Sequence, residues 1–249
     1  AFKVANKAKE IRENSAFADI CKIALPSAFA AYLKTALQMA ENLLIPISFR
    51  KYGATAGSAL AGYGLLSSMV MPILFFPSFV LSSFSMLLIP EYTEAQVLNK
   101  NKDIKRTTEF TLKLTLFFSL IVSSFFVTFG EVIGKALYNN SDAGRLIKIM
   151  ALLIPFMYLD SVADGMLKGL GEYTRVVTYS SIDTVLSIIL LVTLVSKSGL
   201  IGYIIVIYSS TVLNSTLSIL RILKVSGARL SLISDVISPL AMATAIYKA

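Results

Sequence analysis

The sequence predicts an all-α polytopic membrane protein, built as a lobe of six transmembrane helices followed by the start of a further helix. Of its 249 residues, 55% are hydrophobic and only 15% are charged, against roughly 25% charged in soluble domains. The mean hydropathy is +0.72. Apolar stretches of about twenty residues recur along the chain, and ~20 helical residues suffice to cross a hydrocarbon core of ~30 Å.

Each predicted span is an apolar stretch bounded by polar loops or by turns that contain glycine. The spans, in order, are 23–47, 59–89, 108–129, 146–167, 176–195 and 200–223. Residues 1–22 are expected to form a basic cytosolic linker, and residues 229–249 to begin an additional helix that is truncated. Because the chain starts with Ala1 and ends within an apolar run, we expect sequence to be missing at both ends.

Prolines interrupt two of the spans. Pro72 and Pro77 lie within the second span, and Pro155 lies within the fourth. A proline inside a span removes a backbone hydrogen bond and bends the helix. These three positions are candidate hinges, although a bend without a gating role explains them equally well.

The composition argues against enzyme chemistry and against cofactors. The chain has no histidine and no tryptophan, and Cys21 is its only cysteine, which disfavours zinc sites, histidine bases and disulfides. No Gly-x-x-x-x-Gly-Lys-Ser/Thr pattern is present, so a transport cycle would not be powered by ATP bound to this chain. The sequence therefore predicts no catalytic residue, no cofactor and no metal site.

The net charge of +8 is explained by membrane topology rather than by nucleic acid. Lys and Arg are concentrated in alternate loops, which the positive-inside rule assigns to the cytosol. Both termini of the segment are therefore predicted to be cytosolic. The connector 91–106 is basic and long enough for an amphipathic helix that lies on anionic lipid.

Charged and polar side chains at bilayer depth are the candidate functional residues, because a charge there costs ~2.5 to 3.5 kcal/mol unless it faces protein or water. Lys34, Gln38 and Glu41 in the first span fall within about 60° of one helix face. Asp160 and Asp183 lie in the fourth and fifth spans. These five residues are the predicted lining of a substrate cavity.

The fourth and fifth spans form a predicted hairpin around a glycine-containing turn. Asp160 and Asp183 are equally distant from its centre, so their carboxyl groups are expected at similar depth, at the level of Lys34. A buried Lys-Asp pair that only fixes helix packing remains an alternative to a cavity. Asp164 could pair with Lys168 one turn away.

The sixth span also carries polar residues, and these are expected to make hydrogen bonds between helices. They are Ser209, Ser210, Thr211 and Asn214.

Several short motifs give the sequence a family resemblance. They are Ala24-Leu25-Pro26, Leu44-Ile45-Pro46, Met71-Pro72-Ile73-Leu74-Phe75-Phe76-Pro77-Ser78, Leu88-Ile89-Pro90-Glu91 and Leu167-Lys168-Gly169-Leu170-Gly171. Their order resembles the carboxy-terminal half of the polysaccharide-biosynthesis and lipid-linked oligosaccharide flippase family, in its stage V sporulation protein B-like branch. That family belongs to the multidrug/oligosaccharidyl-lipid/polysaccharide exporter superfamily, whose members have two six-helix lobes around a central cavity.

The resemblance implies a MATE-like lobe of a flippase in the bacterial cytoplasmic membrane. Its expected cargo is a lipid-linked oligosaccharide or peptidoglycan precursor, moved by alternating access together with a missing amino-terminal six-helix lobe. Membrane lipids are the other expected partners, and nucleic acid is not expected. A cation-coupled multidrug antiporter and a non-transporting scaffold for cell-wall or spore-cortex synthesis are the alternatives.

Overall fold

The computed structural model describes residues 25, 28–29, 31–52 and 61–228, and this part of the chain contains helices and no strands. The predicted all-α fold is confirmed. Residues 1–22 and 229–249, predicted as a linker and a truncated helix, lie outside the described residues. The helices are α1 (31–51), α2 (Ala61–Phe75), α3 (Ser78–Val97), α4 (Asn101–Tyr138), α5 (Ser141–Ala151), α6 (Ile154–Gly169), α7 (Tyr173–Leu190) and α8 (Ser196–Ser226).

Long apolar helices make this a multi-pass membrane protein. α4 is long and apolar enough to cross a bilayer, and so is the helical stretch Tyr173–Ser226. The pairs α2–α3 and α5–α6 pass the same test as bent spans, with bends of 60° and 58°. The second of the predicted spans is thus bent, as its prolines indicated.

The stretch Tyr173–Ser226 folds back on itself at Gly199. A π-helical segment, Leu191–Val195, extends α7, and the backbone of Gly199 then leaves helical geometry (φ 56°, ψ −128°). A Cβ atom here would also lie 2.8 Å from the ring of Tyr52, so both the conformation and the space require glycine. α7 and α8 consequently pack side by side as an antiparallel hairpin.

Side-chain hydroxyl groups satisfy the carbonyls that the two bends release. Pro155 has no N–H for the carbonyl of Ala151, and Ser123 Oγ donates a hydrogen bond to that carbonyl at 2.8 Å. At the other bend, the buried Tyr158 hydroxyl donates to the carbonyl of Leu74 at 2.7 Å. Bends inside a membrane are stable only when such groups are satisfied.

α6 forms the centre of the lobe. It packs against α3, α4 and α8, and most of its length is buried, including Tyr158, Val162 and Met166. α6 therefore presents its polar residues to neighbouring helices rather than to lipid.

The predicted amphipathic helix at 91–106 is wrong. α3 continues through Pro90 to Val97, and α4 begins at Asn101, so only three residues connect them. The buried Tyr92 hydroxyl contacts Thr108 Oγ1 at 2.8 Å and Met166 Sδ at 3.2 Å. These contacts hold the end of α3 against α4 and α6 instead of leaving it on the lipid surface.

Candidate functional site

One face of α8 carries a row of polar side chains. Ser210, Asn214, Ser218 and Arg221 follow one another at steps of four, four and three residues, which places them on one helix face. Each donates to an acidic side chain of the segment 160–183. We call the four resulting pairs the acidic ladder.

The pairs of the acidic ladder are direct hydrogen bonds. They are Ser210 Oγ to both carboxylate oxygens of Asp183 at 2.6 and 2.7 Å, Asn214 Nδ2 to Asp160 Oδ2 at 2.8 Å, Ser218 Oγ to Asp164 Oδ1 at 3.2 Å, and Arg221 to Glu172 at 2.6 and 3.2 Å. The first three lie within the predicted spans. The Arg221–Glu172 pair joins α8 to the turn before α7, at the end of the ladder.

The first span adds a fifth carboxyl group and an ammonium group. The Ser187 hydroxyl on α7 donates a hydrogen bond to Glu41 Oε1 on α1. Lys34, about two turns before Glu41 on the same face of α1, is half-buried and lies close enough for its charge to act on Asp164 and Asp183. α1 therefore lies beside the ladder and faces it with one carboxyl group and one ammonium group.

The structure brings four of the five predicted cavity residues together. Asp160 and Asp183 bind α8 residues four positions apart, so their partners are separated by about 6 Å, or one turn, along α8. Lys34 and Glu41 lie close enough for their charges to act on Asp183. Gln38 is exposed and makes no polar contact with the described residues, so it does not join the ladder.

The ladder also corrects one sequence-based expectation. Asp164 forms no ion pair with Lys168 within the described residues, although the Lys168 charge acts on it, and Ser218 takes the position of its partner. Ser210 and Asn214 make the expected interhelical bonds. Ser187 and Ser218 were not predicted, yet the i, i+4, i+8 spacing of Ser210, Asn214 and Ser218 was a usable signal.

The ladder retains unused hydrogen-bonding capacity. Asp160 Oδ1 and Asn214 Oδ1 are buried oxygen atoms without a hydrogen-bond partner among the described residues. Within the described residues, the charges of two ammonium groups act on the four carboxyl groups of Glu41, Asp160, Asp164 and Asp183: Lys34 acts on Asp164 and Asp183, and Lys168 acts on Asp164. No group of three or more His, Cys, Asp or Glu side chains within the described ranges is arranged to hold a metal ion. Chemically, the ladder can accept hydrogen bonds from, or pair with, a polar group that enters from the open side.

Comparisons with known proteins agree with this architecture. The MatE family matches residues 26–193. Stage V sporulation protein B of Bacillus subtilis (strain 168) is 23% identical over 155 residues, a match that covers 62% of this chain and 30% of that protein. No solved structure matches significantly. The family match covers more than half of the chain and includes α2 to α7, so the chain belongs to the MatE family, within the stage V sporulation protein B-like branch of the exporter superfamily.

Proposed function

We propose that this chain is one lobe of a flippase that moves a lipid-linked cell-wall or polysaccharide precursor across the cytoplasmic membrane by alternating access. The observation that carries the proposal is the acidic ladder, a row of carboxyl groups at bilayer depth with unfilled hydrogen-bonding positions. A polar headgroup needs such a lining, because hydrocarbon offers it no hydrogen bonds. Membership in a family of membrane exporters and flippases supports this reading.

The chemistry of the ladder suits a headgroup rich in hydroxyl groups. The carboxylates of Asp160 and Asp183 accept hydrogen bonds from sugar hydroxyls, while the lipid tail stays in the bilayer. Lys34 would meet the negative charge of a diphosphate. Further basic groups would come from an amino-terminal six-helix lobe, which would form the opposite wall of the cavity and leave both termini of this segment in the cytosol.

The bent spans would supply the conformational change. Pro77 lies at the 60° bend between α2 and α3, and Pro72 lies two residues after the π-helical stretch Leu65–Val70. Pro155 lies in the first turn of α6, next to the 58° bend. As α6 carries Asp160, a change of angle at this bend would move the ladder relative to α1. Pro77→Ala and Pro155→Ala should then slow transport, whereas Pro90→Ala, inside the unbroken α3, should not.

The decisive experiment measures leaflet accessibility of the lipid-linked precursor in cells depleted of the intact protein. The cells are complemented with wild type, Lys34→Ala, Asp160→Asn or Asp183→Asn. Matched controls are Asp142→Asn and Lys197→Ala, at exposed positions outside the ladder. We expect wild type and the controls to restore outer-leaflet precursor, and the three ladder variants to leave it in the inner leaflet. Unchanged accessibility in the depleted cells would reject the flippase.

A cation-coupled antiporter of small amphiphilic compounds is the second candidate. Four carboxyl groups on the ladder side outnumber the two ammonium groups, of Lys34 and Lys168, whose charges act there, which favours a cationic substrate. Accumulation of a cationic dye, measured with and without a proton or sodium gradient, separates the two functions. Gradient-dependent efflux that is lost in Asp160→Asn would establish the antiporter. If Asp160→Asn loses neither dye efflux nor precursor flipping, the result would favour a scaffold.

A further inference from the structure

A cavity of about 580 Å³ lies between α3 and α4, separate from the acidic ladder. Its lining residues on α3 are Phe84, Leu88 and Glu91, and those on α4 are Asp103, Arg106, Thr107, Phe110 and Thr111. Both sets have the spacing of a single helix face. Each of the two helices thus lines the cavity with one of its faces.

The cavity is polar at one end and apolar at the other. The polar end, near the short connector, carries Glu91, Asp103 and Arg106. Phe84 lies seven residues before Glu91 on α3, and thus about 10 Å further from the connector. Phe110 is 62% exposed, so the cavity opens sideways, toward lipid. This gradient matches the order of groups in a phospholipid, whose charged headgroup precedes its acyl chains.

The width of the cavity is fixed by the helix contacts beside it. The Tyr92 hydroxyl on α3 contacts Thr108 Oγ1 on α4 at 2.8 Å, and Thr93 Oγ1 donates to the carbonyl of Gly169 on α6 at 2.9 Å. These bonds join the helices next to Glu91. The space between the lining faces is therefore a built feature rather than a loose contact.

The polar groups of the cavity have free bonding capacity. Within the described residues, Glu91, Asp103 and Arg106 form no ion pair, and all three are exposed. Thr111 lies beneath the cavity and is fully buried. The accessible polar groups of the site are therefore two carboxylates and one guanidinium.

We propose that this cavity binds phosphatidylethanolamine from the surrounding bilayer. The ammonium group pairs with Glu91 and Asp103, and the phosphate pairs with Arg106. The acyl chains follow Phe84, Leu88 and Phe110. Phosphatidylglycerol has no cation for the carboxylates, and the quaternary ammonium of phosphatidylcholine has no N–H to donate. This lipid site is independent of the cargo proposed above.

The test is native mass spectrometry of the purified intact protein. The protein is first delipidated and then offered equal amounts of phosphatidylethanolamine, phosphatidylglycerol and phosphatidylcholine. We expect phosphatidylethanolamine to be retained about tenfold more than either competitor, as charge-assisted hydrogen bonds allow. The variant with Glu91→Gln and Asp103→Asn should lose this preference. Glu94→Gln, on the same helix but outside the cavity, should keep it.

Two further variants separate the site from general lipid adhesion. Arg106→Gln should lower retention of all three phospholipids, because each carries a phosphate, whereas Lys102→Gln outside the cavity should not. Thr107→Phe should fill the cavity and lower retention without a change in net charge. Equal retention of the three lipids, preference for phosphatidylglycerol, or an unchanged preference in the Glu91/Asp103 variant would each overturn the proposal.

Discussion

The acidic ladder and the seam between α4 and α5 hold helices together in opposite ways. In the ladder, side chains meet across a gap and leave bonding positions unused. In the seam, Gly130, Gly134 and Gly144 bring the backbones into direct contact: a Cβ atom on Gly134 would lie 2.3 Å from the Gly144 nitrogen. Small residues allow this close approach between membrane helices.

The difference shows which part of the lobe can change. Backbone contact in the seam admits one arrangement, because even a methyl group does not fit. Side-chain hydrogen bonds in the ladder can be exchanged for bonds to a substrate at little net cost, since each is worth about 1 kcal/mol. α5 belongs to the seam and α6 to the ladder, and the bend near Pro155 separates the two regions.

The largest effect is expected from a single methyl group in the seam. Gly134→Ala places Cβ against the backbone of Gly144, which cannot move as a flexible side chain could. Overpacking of this kind should lower the free energy of unfolding by about 3 kcal/mol. The measurement is thermal unfolding of the purified protein in detergent.

Gly64→Ala is the matched control, because nothing lies within 4 Å of a Cβ atom at that position. It should leave stability unchanged or raise it slightly, as alanine favours helix. If Gly134→Ala were tolerated as well as Gly64→Ala, the seam would be as adaptable as the ladder and the comparison would fail.

The second effect concerns the bend that joins the two regions. Ser123→Ala leaves the carbonyl of Ala151 without its hydrogen bond, which should cost about 1.5 kcal/mol. In a Pro155→Ala background, position 155 gains an N–H that can bond the carbonyl of Ala151. Ser123→Ala should then cost much less free energy of unfolding. A double-mutant cycle of unfolding free energies measures the coupling. Equal costs in both backgrounds would show that Ser123 does not replace the bond that Pro155 lacks.

Sequence patterns predicted the fold class and part of the site for physical reasons. Apolar runs of membrane length dictate helices, because in lipid the backbone N–H and C=O groups must form hydrogen bonds with each other. Hairpin symmetry predicted that Asp160 and Asp183 lie near each other, and both bind the same face of α8, one turn apart. The extension of α3 past Pro90 did not follow, because it depends on the contacts of Tyr92 with distant residues.

The partners of the carboxyl groups were harder to predict than their positions. Serine is common in membrane helices and bonds readily to its own backbone, so Ser187 and Ser218 carry little signal individually. The lysine one turn from Asp164 suggested a local ion pair, whereas packing of α8 against α6 supplied Ser218 instead. Which residue faces which helix was decided by tertiary packing.

A smaller effect should appear within the ladder. The cycle of Asp160→Ala, Asn214→Ala and the double variant should give a coupling energy of about 0.6 kcal/mol, the usual value for polar pairs between membrane helices. Such a weak coupling would mean that a substrate can replace Asn214. A coupling energy as large as the cost of Gly134→Ala would mean that the ladder mainly holds the helices together, and this would contradict its proposed role in transport.

The smallest effect belongs to an exposed ion pair at the edge of the seam. Lys148 Nζ lies 2.8 Å from Glu131 Oε1, and this hydrogen bond with its charge lowers the pKa of Glu131 below its ordinary value of 4.5. The ionised form is therefore favoured by folding, so the contribution is complete above pH 4.5 and is lost as the pH falls through the lowered pKa. The stability of wild type should decrease more steeply than that of Glu131→Gln when the pH is lowered from about 5 to about 3, and high salt should reduce the difference. Glu94→Gln, at an exposed glutamate on α3, should follow wild type. Parallel curves for wild type and Glu131→Gln would mean that the backbone contacts of the glycines hold the seam without help from this pair.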